Sequence, residues 1–208
     1  MPLDYPVETL LETKFVNVFD FRHAPGRHYY VATRRKRGNL VAETSDEAFE
    51  AMIPDAVSCC VVWHEEGEEP RIVLNQEYRY PLGQYVTSVP AGLIDPEDRG
   101  LSREDAIFTA ARREIHEEIG LTLTERDSFR MVNPCMFSSP GLTDESNAMI
   151  RVDLYGHRRE ELTQGNAEGT EKFDGFLFLT RDEARKMMRE GRISVYTWIG
   201  LAEFVRGE

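Results

Sequence analysis

The period of apolar and polar positions changes along this chain, and each change marks an element. Residues 56–63, AVSCCVVW, form an unbroken apolar run. A run of that length suits a strand covered on both faces. HEEGEEP follows, punctuated by Gly67 and Pro70, and then RIVLNQEYR at 71–79. Two such runs around a turn predict a hairpin. In TSVPAGLID, 87–95, a Pro-Ala-Gly break interrupts the next strand. SREDAIFTAARREIHEEIG, 102–120, predicts the longest helix: Ser102 with Asp105 three residues on is a start signal, and Gly120 a stop. FRMVNPCMF (129–137), AMIRVDLYG (148–156) and GFLFLT (175–180) read as strands, and HRREELTQGNAEGTEK (157–172) as a polar loop. DEARKMMREG (182–191) and WIGLAEFV (198–205) read as helices. The first 55 residues have another texture. KFVNVFDF (14–21) and HYYVATRR (28–35) are short β-type runs around the turn-rich RHAPGR, and SDEAFEAM (45–52) is a turn or two of helix capped by Ser45. Strands and helices alternate without the βαβ rhythm of a parallel sheet. The expectation is an α/β (α+β) fold with a mixed sheet between helices over 56–208, preceded by a small β-rich segment over 1–55.

Composition narrows the function. The 208 residues are 41% hydrophobic, enough for a sizeable core. With 37 acidic and 25 basic residues the net charge is −12, so the chain lacks the basic field that sequence-independent nucleic-acid binding needs. No apolar run approaches the roughly 18 residues that span a bilayer. MPLDYPVETLLETK has no basic start followed by an apolar stretch, and so does not read as a secretory signal. Cys59, Cys60 and Cys135 are too few and too irregular for a disulfide framework or a zinc site. The adjacent pair reads as small apolar residues of a strand rather than a redox pair, and reduced thiols suit the cytoplasm. No nucleic-acid or membrane partner is expected.

The candidate chemistry lies in ARREIHEEIGL, 111–121. On a helix, Glu114, Glu117 and Glu118 share one face and repel one another. Two readings are open: a solvated acidic face, or a site for a hard divalent cation, which would reverse the repulsion. Upstream, Pro90 and Gly92 break a strand where a backbone carbonyl could join the metal, and Arg113 is placed to hold an acid such as Asp105. Gly, acid, Arg-Glu-apolar-x-Glu-Glu-x-Gly-apolar is the order of the Nudix box, G-x5-E-x7-R-E-U-x-E-E-x-G-U with U apolar. The sequence resembles the Nudix hydrolase family. Arg113, Glu114, Ile115, Glu117, Glu118, Gly120 and Leu121 match the second half in register. In the first half Asp105 stands at the glutamate spacing before Arg113, but twelve residues separate it from Gly92 where the box has five. Glu97 is the other candidate for that position, with the insertion after it.

Two flanking stretches resemble the ADP-ribose and nucleoside-diphosphate-sugar pyrophosphatases of that family. One is RIVLNQEYRYPLGQYVTSVPAGLID, with Gln76, Arg79 and Pro81 but Ser88 where the group often has glutamate; the other is SSPGLTDES, 138–146. The resemblance implies Mg2+-dependent cleavage of a pyrophosphate in a small nucleotide substrate, ADP-ribose first, with Mn2+ as a substitute. It implies Glu114, Glu117, Glu118 and the Ala91 carbonyl as metal ligands. It implies substrate contacts from Arg79, Ser139, Gly141 and Glu145, and from Arg35 within the basic run Arg34–Arg37. It gives Arg113 and Glu117 catalytic roles and puts a general base in QGNAEGTEKFD, 164–174, where Glu171 and Glu168 are the candidates. It implies a homodimer paired through the N-terminal segment. Arg79 and the basic run also read as ordinary surface ion pairs, and the acidic loop as solvated. The rival functions are hydrolysis of another nucleoside diphosphate derivative, or metabolite sensing without cleavage.

Overall fold

The computed structural model describes residues 4–164 and 172–207. At the N-terminus, β1 (Val7–Glu12), β2 (Asn17–Ala24) and β3 (Arg27–Thr33) form an antiparallel sheet in the order β1-β2-β3. Phe19, Phe21, Val31 and Leu40 make its small core. β1 was not foreseen, because VETLLE has no clean alternation and its side chains stay exposed beyond Val7. The short α1 (Asp46–Glu50) follows, capped by Ser45, whose hydroxyl accepts from the Ala48 N–H at 3.2 Å.

The remaining strands are β4 (Ala56–His64), β5 (Arg71–Arg79), β6 (Gln84–Ser88), β7 (Ala91–Leu93), β8 (Ser128–Phe137), β9 (Ser146–Tyr155) and β10 (Phe173–Leu179). They build one mixed sheet in the order β10-β5-β4-β9-β8, with β6 paired to β5 and β7 to β4. β4 and β9 run parallel, from Ala56 opposite Asn147 to His64 opposite Tyr155; the other pairs are antiparallel. α2 (Arg103–Ile119) covers one face, while α3 (Arg181–Glu190) and α4 (Val195–Arg206) cover the other. This is the expected sandwich. It explains why β4 is apolar throughout: Val57, Cys59, Val61 and Trp63 pack toward α2, and Cys60 and Val62 toward α4. The adjacent cysteines therefore face opposite cores as free thiols. Burial pushes the Cys60 thiol up to about 12.

Three devices position α2. The Ser102 hydroxyl accepts from the Asp105 N–H at its start. A stripe including Ile107, Ala110, Ala111, Ile115 and Ile119 is buried against the sheet. At the end, Gly120 takes φ 83°, and a Cβ there would come within 2.3 Å of the Thr163 methyl, so both conformation and space require glycine.

The N-terminal sheet is stitched to the loop before β9. The Ala32 N–H donates to the Leu142 carbonyl at 2.9 Å, and the Tyr29 hydroxyl to the Gly141 carbonyl at 3.0 Å.

Candidate active site

Glu114 and Glu118 occupy positions on the buried stripe of α2 that an amphipathic helix normally gives to apolar residues; Glu117 beside them is half-buried. Each has a built environment. The Glu114 carboxylate lies against Gly92 on β7, where a Cβ would stand 2.1 Å from its carboxyl carbon. Gly92 is thus the space that the glutamate fills. The Glu118 carboxylate accepts a short hydrogen bond from the Asn75 side-chain amide on β5. Cys59 lies beneath both, and burial first, then the Glu114 and Glu118 charges, hold its thiol well above the usual range. Buried carboxylates are costly unless paired or coordinated to a cation. Oxygen donors alone are what a hard ion such as Mg2+ takes, so these residues fit such an ion. Among the described residues the acids are not drawn three to a point as in a prebuilt cage. Mg2+ is usually held by one or two carboxylates, with water and phosphate oxygens in its other positions.

Arg113 does not hold Asp105, which instead caps its own helix through Ser102. The guanidinium donates to Asp98 at 2.9 Å and to the Leu93 carbonyl at 2.9 Å, and pairs with Asp95 at 3.1 Å. Asp98, not Asp105 or Glu97, is therefore the acid in this place. Five residues, 93–97, lie between Gly92 and Asp98 as the box requires, so the insertion falls after Asp98, in 99–105. Arg113 thereby ties α2 to the segment that carries Ala91 and Gly92.

A cleft of about 910 Å3 opens beside this turn, between β6, β7, β9 and the start of α4. Arg79, Ala91, Gly92 and Glu145 line it. Arg79 pairs with Glu77 at 2.6 Å while keeping nearly half its side chain exposed. Arg35 departs from expectation. Its guanidinium is buried against Asp55 at 2.8 Å, tying the N-terminal sheet to β4. Arg34 is the member of the basic run that lines the cleft, donating to Glu145 at 2.7 Å. The Ser139 and Gly141 carbonyls are taken up by the loop and the N-terminal sheet: Ser139 accepts from Leu142 and Thr143, and Gly141 from Tyr29. Neither residue lines the cleft. Glu168 and Glu171 lie outside the described residues. Two residues escaped the sequence reading, Asn75 and Glu77. They alternate along β5 on the side that faces α2 and the cleft, and the period of two was the available signal. Ser88, at the position where similar sequences often carry glutamate, is buried opposite Asn75. Glu77, diagonal to it across the pair, brings an acid to the same cleft.

A family model described as the NUDIX domain matches residues 52–199. "Nudix hydrolase 14, chloroplastic" of Arabidopsis thaliana is 31% identical over 165 residues, covering 74% of this chain and 50% of that protein. "ADP-ribose pyrophosphatase" of Saccharomyces cerevisiae is 30% identical over 94 residues, covering 45% and 36%. The chain thus spans about half the length, or less, of these curated relatives. Among solved structures, one titled "Crystal structure of ADP compounds hydrolase" aligns with a TM-score of 0.57 at 16% identity, over 97% of this chain and 92% of that one. That likeness is one of fold.

Proposed function

The chain belongs to the Nudix hydrolase family, and from that premise we propose that it cleaves the pyrophosphate bond of a nucleoside diphosphate sugar, ADP-ribose to AMP and ribose 5-phosphate, with Mg2+. The observation that carries the reading is the pair of buried glutamates, Glu114 set against Gly92 and Glu118 held by Asn75, beside an open cleft. The resemblance of the Arg79 segment and of SSPGLTDES to ADP-ribose pyrophosphatases, and the yeast relative of that name, support the substrate.

One water is consumed: its oxygen joins one phosphorus, and the bridging P–O bond breaks. Glu114, Glu118 and the Ala91 carbonyl would hold the metal, with Glu117 adjoining. The cation supplies Lewis acidity toward phosphate oxygens and a lowered pKa for bound water; Mn2+ serves in its place. The protein does the positioning. Asn75 orients Glu118, and Gly92 admits Glu114. Arg113 clamps the strand break against α2, and Arg79 presents a planar fork suited to phosphate. The base that orients or deprotonates the water is assigned to Glu168 or Glu171, with Glu117 next. The working unit is a homodimer.

A kinetic panel tests this. ADP-ribose, other nucleotide sugars, dinucleoside polyphosphates and nucleoside triphosphates are each supplied with Mg2+, Mn2+ or EDTA, and the products are identified. ADP-ribose should give the highest kcat/KM, yield AMP and ribose 5-phosphate, and be inert in EDTA. Faster turnover of triphosphates would refute the substrate, and tight binding without any turnover would make the protein a sensor.

A further inference from the structure

The floor of the cleft contains an imbalance that the reading so far does not use. The Ser58 hydroxyl oxygen and the Asn147 side-chain oxygen are buried and have no hydrogen-bond partner. Their residues are 1% and 5% exposed. Protein interiors rarely leave such atoms unpaired. Seven side-chain atoms of this kind occur among the described residues, and these are the two whose residues line the cleft.

Register explains why they converge. β4 and β9 run parallel, with Ala56 opposite Asn147 and Ser58 opposite Met149. Side chains alternate along strands, so Ser58 and Asn147 are diagonal neighbours on one face. The intervening Val57 and Ala148 point the other way, into the core under α2. Ser58 is also opposite Ala91 across the β4–β7 pair. Ser58 therefore lies next to the strand that carries Gly92, and Asn147 stands on the strand at the other side of β4.

Their chemistry selects a ligand group. Asn147 Oδ1 only accepts, while the Ser58 hydroxyl both accepts and donates. A phosphate or carboxylate oxygen would face the Asn147 oxygen with like polarity. A sugar hydroxyl matches both. The place matches too, since a sugar is the group joined directly to a diphosphate. The aromatic rings of the cleft, Tyr85 and Tyr196, come from β6 and α4 and not from this floor. We infer that Ser58 and Asn147 form a sugar subsite, which holds hydroxyls of a pentose carried on the diphosphate. The inference rests on the proposed substrate class for its meaning, but its test needs no hydrolysis.

Calorimetric titration in EDTA with ribose 5-phosphate and with AMP provides that test; the 2-deoxy counterpart of each, and inorganic phosphate, serve as controls. Wild-type protein should bind at least one of the two hydroxylated probes about tenfold tighter than its deoxy form. The probe that shows the preference identifies which of the two sugars is held. Ser58→Ala and Asn147→Leu should abolish that preference and leave phosphate binding unchanged. Ser58→Ala should also melt no lower than wild type, because it removes an unpaired polar atom; a merely structural hydroxyl would lower the melting point. Equal binding of hydroxylated and deoxy probes by wild type, no detectable binding of either, or a preference that survives both substitutions would overturn the subsite. Loss of ADP-ribose hydrolysis with the hydroxyl preference intact would instead count against the proposed reaction.

Discussion

At the scale of single residues, the site is defined by charge placed where helices bury apolar groups. Glu118 is 3% exposed and Glu114 7%, and with Glu117 they repel at i, i+3 and i+4 spacing. A protein that needed only stability would not keep them. Glu118→Gln preserves shape and the contact with Asn75 while removing one charge. It should lower kcat by about 100-fold or more, the scale on which removing a catalytic electrostatic contact acts, while the melting temperature holds or rises. Turnover near the wild-type rate at saturating Mg2+ would remove Glu118 from the site. Gly92 gives an independent check on the same geometry. In Gly92→Ala the new methyl would meet the Glu114 carboxylate at 2.1 Å, so the glutamate must move. Mg2+ titrations of activity should then show both weaker apparent affinity and a lower plateau. An unchanged titration would mean that Glu114 is not held against the strand break for a purpose.

At the scale of elements, much was legible where period and punctuation agreed. β5 follows its predicted run to the residue, and α2 starts and stops on the Ser102 and Gly120 signals. What stayed hidden depended on partners distant in sequence. β1 is nearly all exposed, so no alternation announces it. Spacing points Arg113 to Asp105, yet the turn after β7 brings Asp98 back to it. Arg35 and Arg34 are neighbours in one basic run, and the bend after β3 sends one to Asp55 and the other to Glu145 at the cleft. The connection from α2 to β8 shows the same long-range logic. Asp127 accepts from the Thr124 N–H and hydroxyl, from the Tyr155 N–H on β9, and contacts His157. Burial raises its pKa, but these hydrogen bonds outweigh burial, and the net shift is downward from 3.8. A carboxylate with a depressed folded pKa contributes stability that is complete above 3.8 and is lost as pH falls through the lower folded value. Asp127→Asn should therefore melt below wild type by a constant gap from neutral pH down to the unfolded pKa, and the gap should narrow at more acid pH. Melting curves across that range decide the point, and a gap that widens toward acid would reverse the assignment.

At the scale of the whole molecule, the two edges of the N-terminal sheet are treated differently. In the N-terminal sheet, β3 has one edge covered, because the Ala32 N–H donates to Leu142 and Thr143 bridges to Ala32. β1 forms the opposite edge, and no strand among the described residues pairs with its outer side. Around it Leu10, Leu11 and Phe15 are 49%, 50% and 67% exposed. An open strand edge beside apolar side chains is a template for another chain, and clustered exposure of this kind marks an interaction surface. The sheet has a core of only a few residues, so covering it from outside would stabilise it. Charge opposes association, since each copy carries −12. The apolar edge must then supply the attraction, and salt should favour the pair by screening. The expected outcome by light scattering at micromolar concentration is twice the mass of the chain, with dissociation weakened further by added salt. Leu11→Asp should yield the single-chain mass. A wild-type protein that stays single-chain at both salt levels would show that β1 is not the dimer edge, and would leave the cleft to function within one chain.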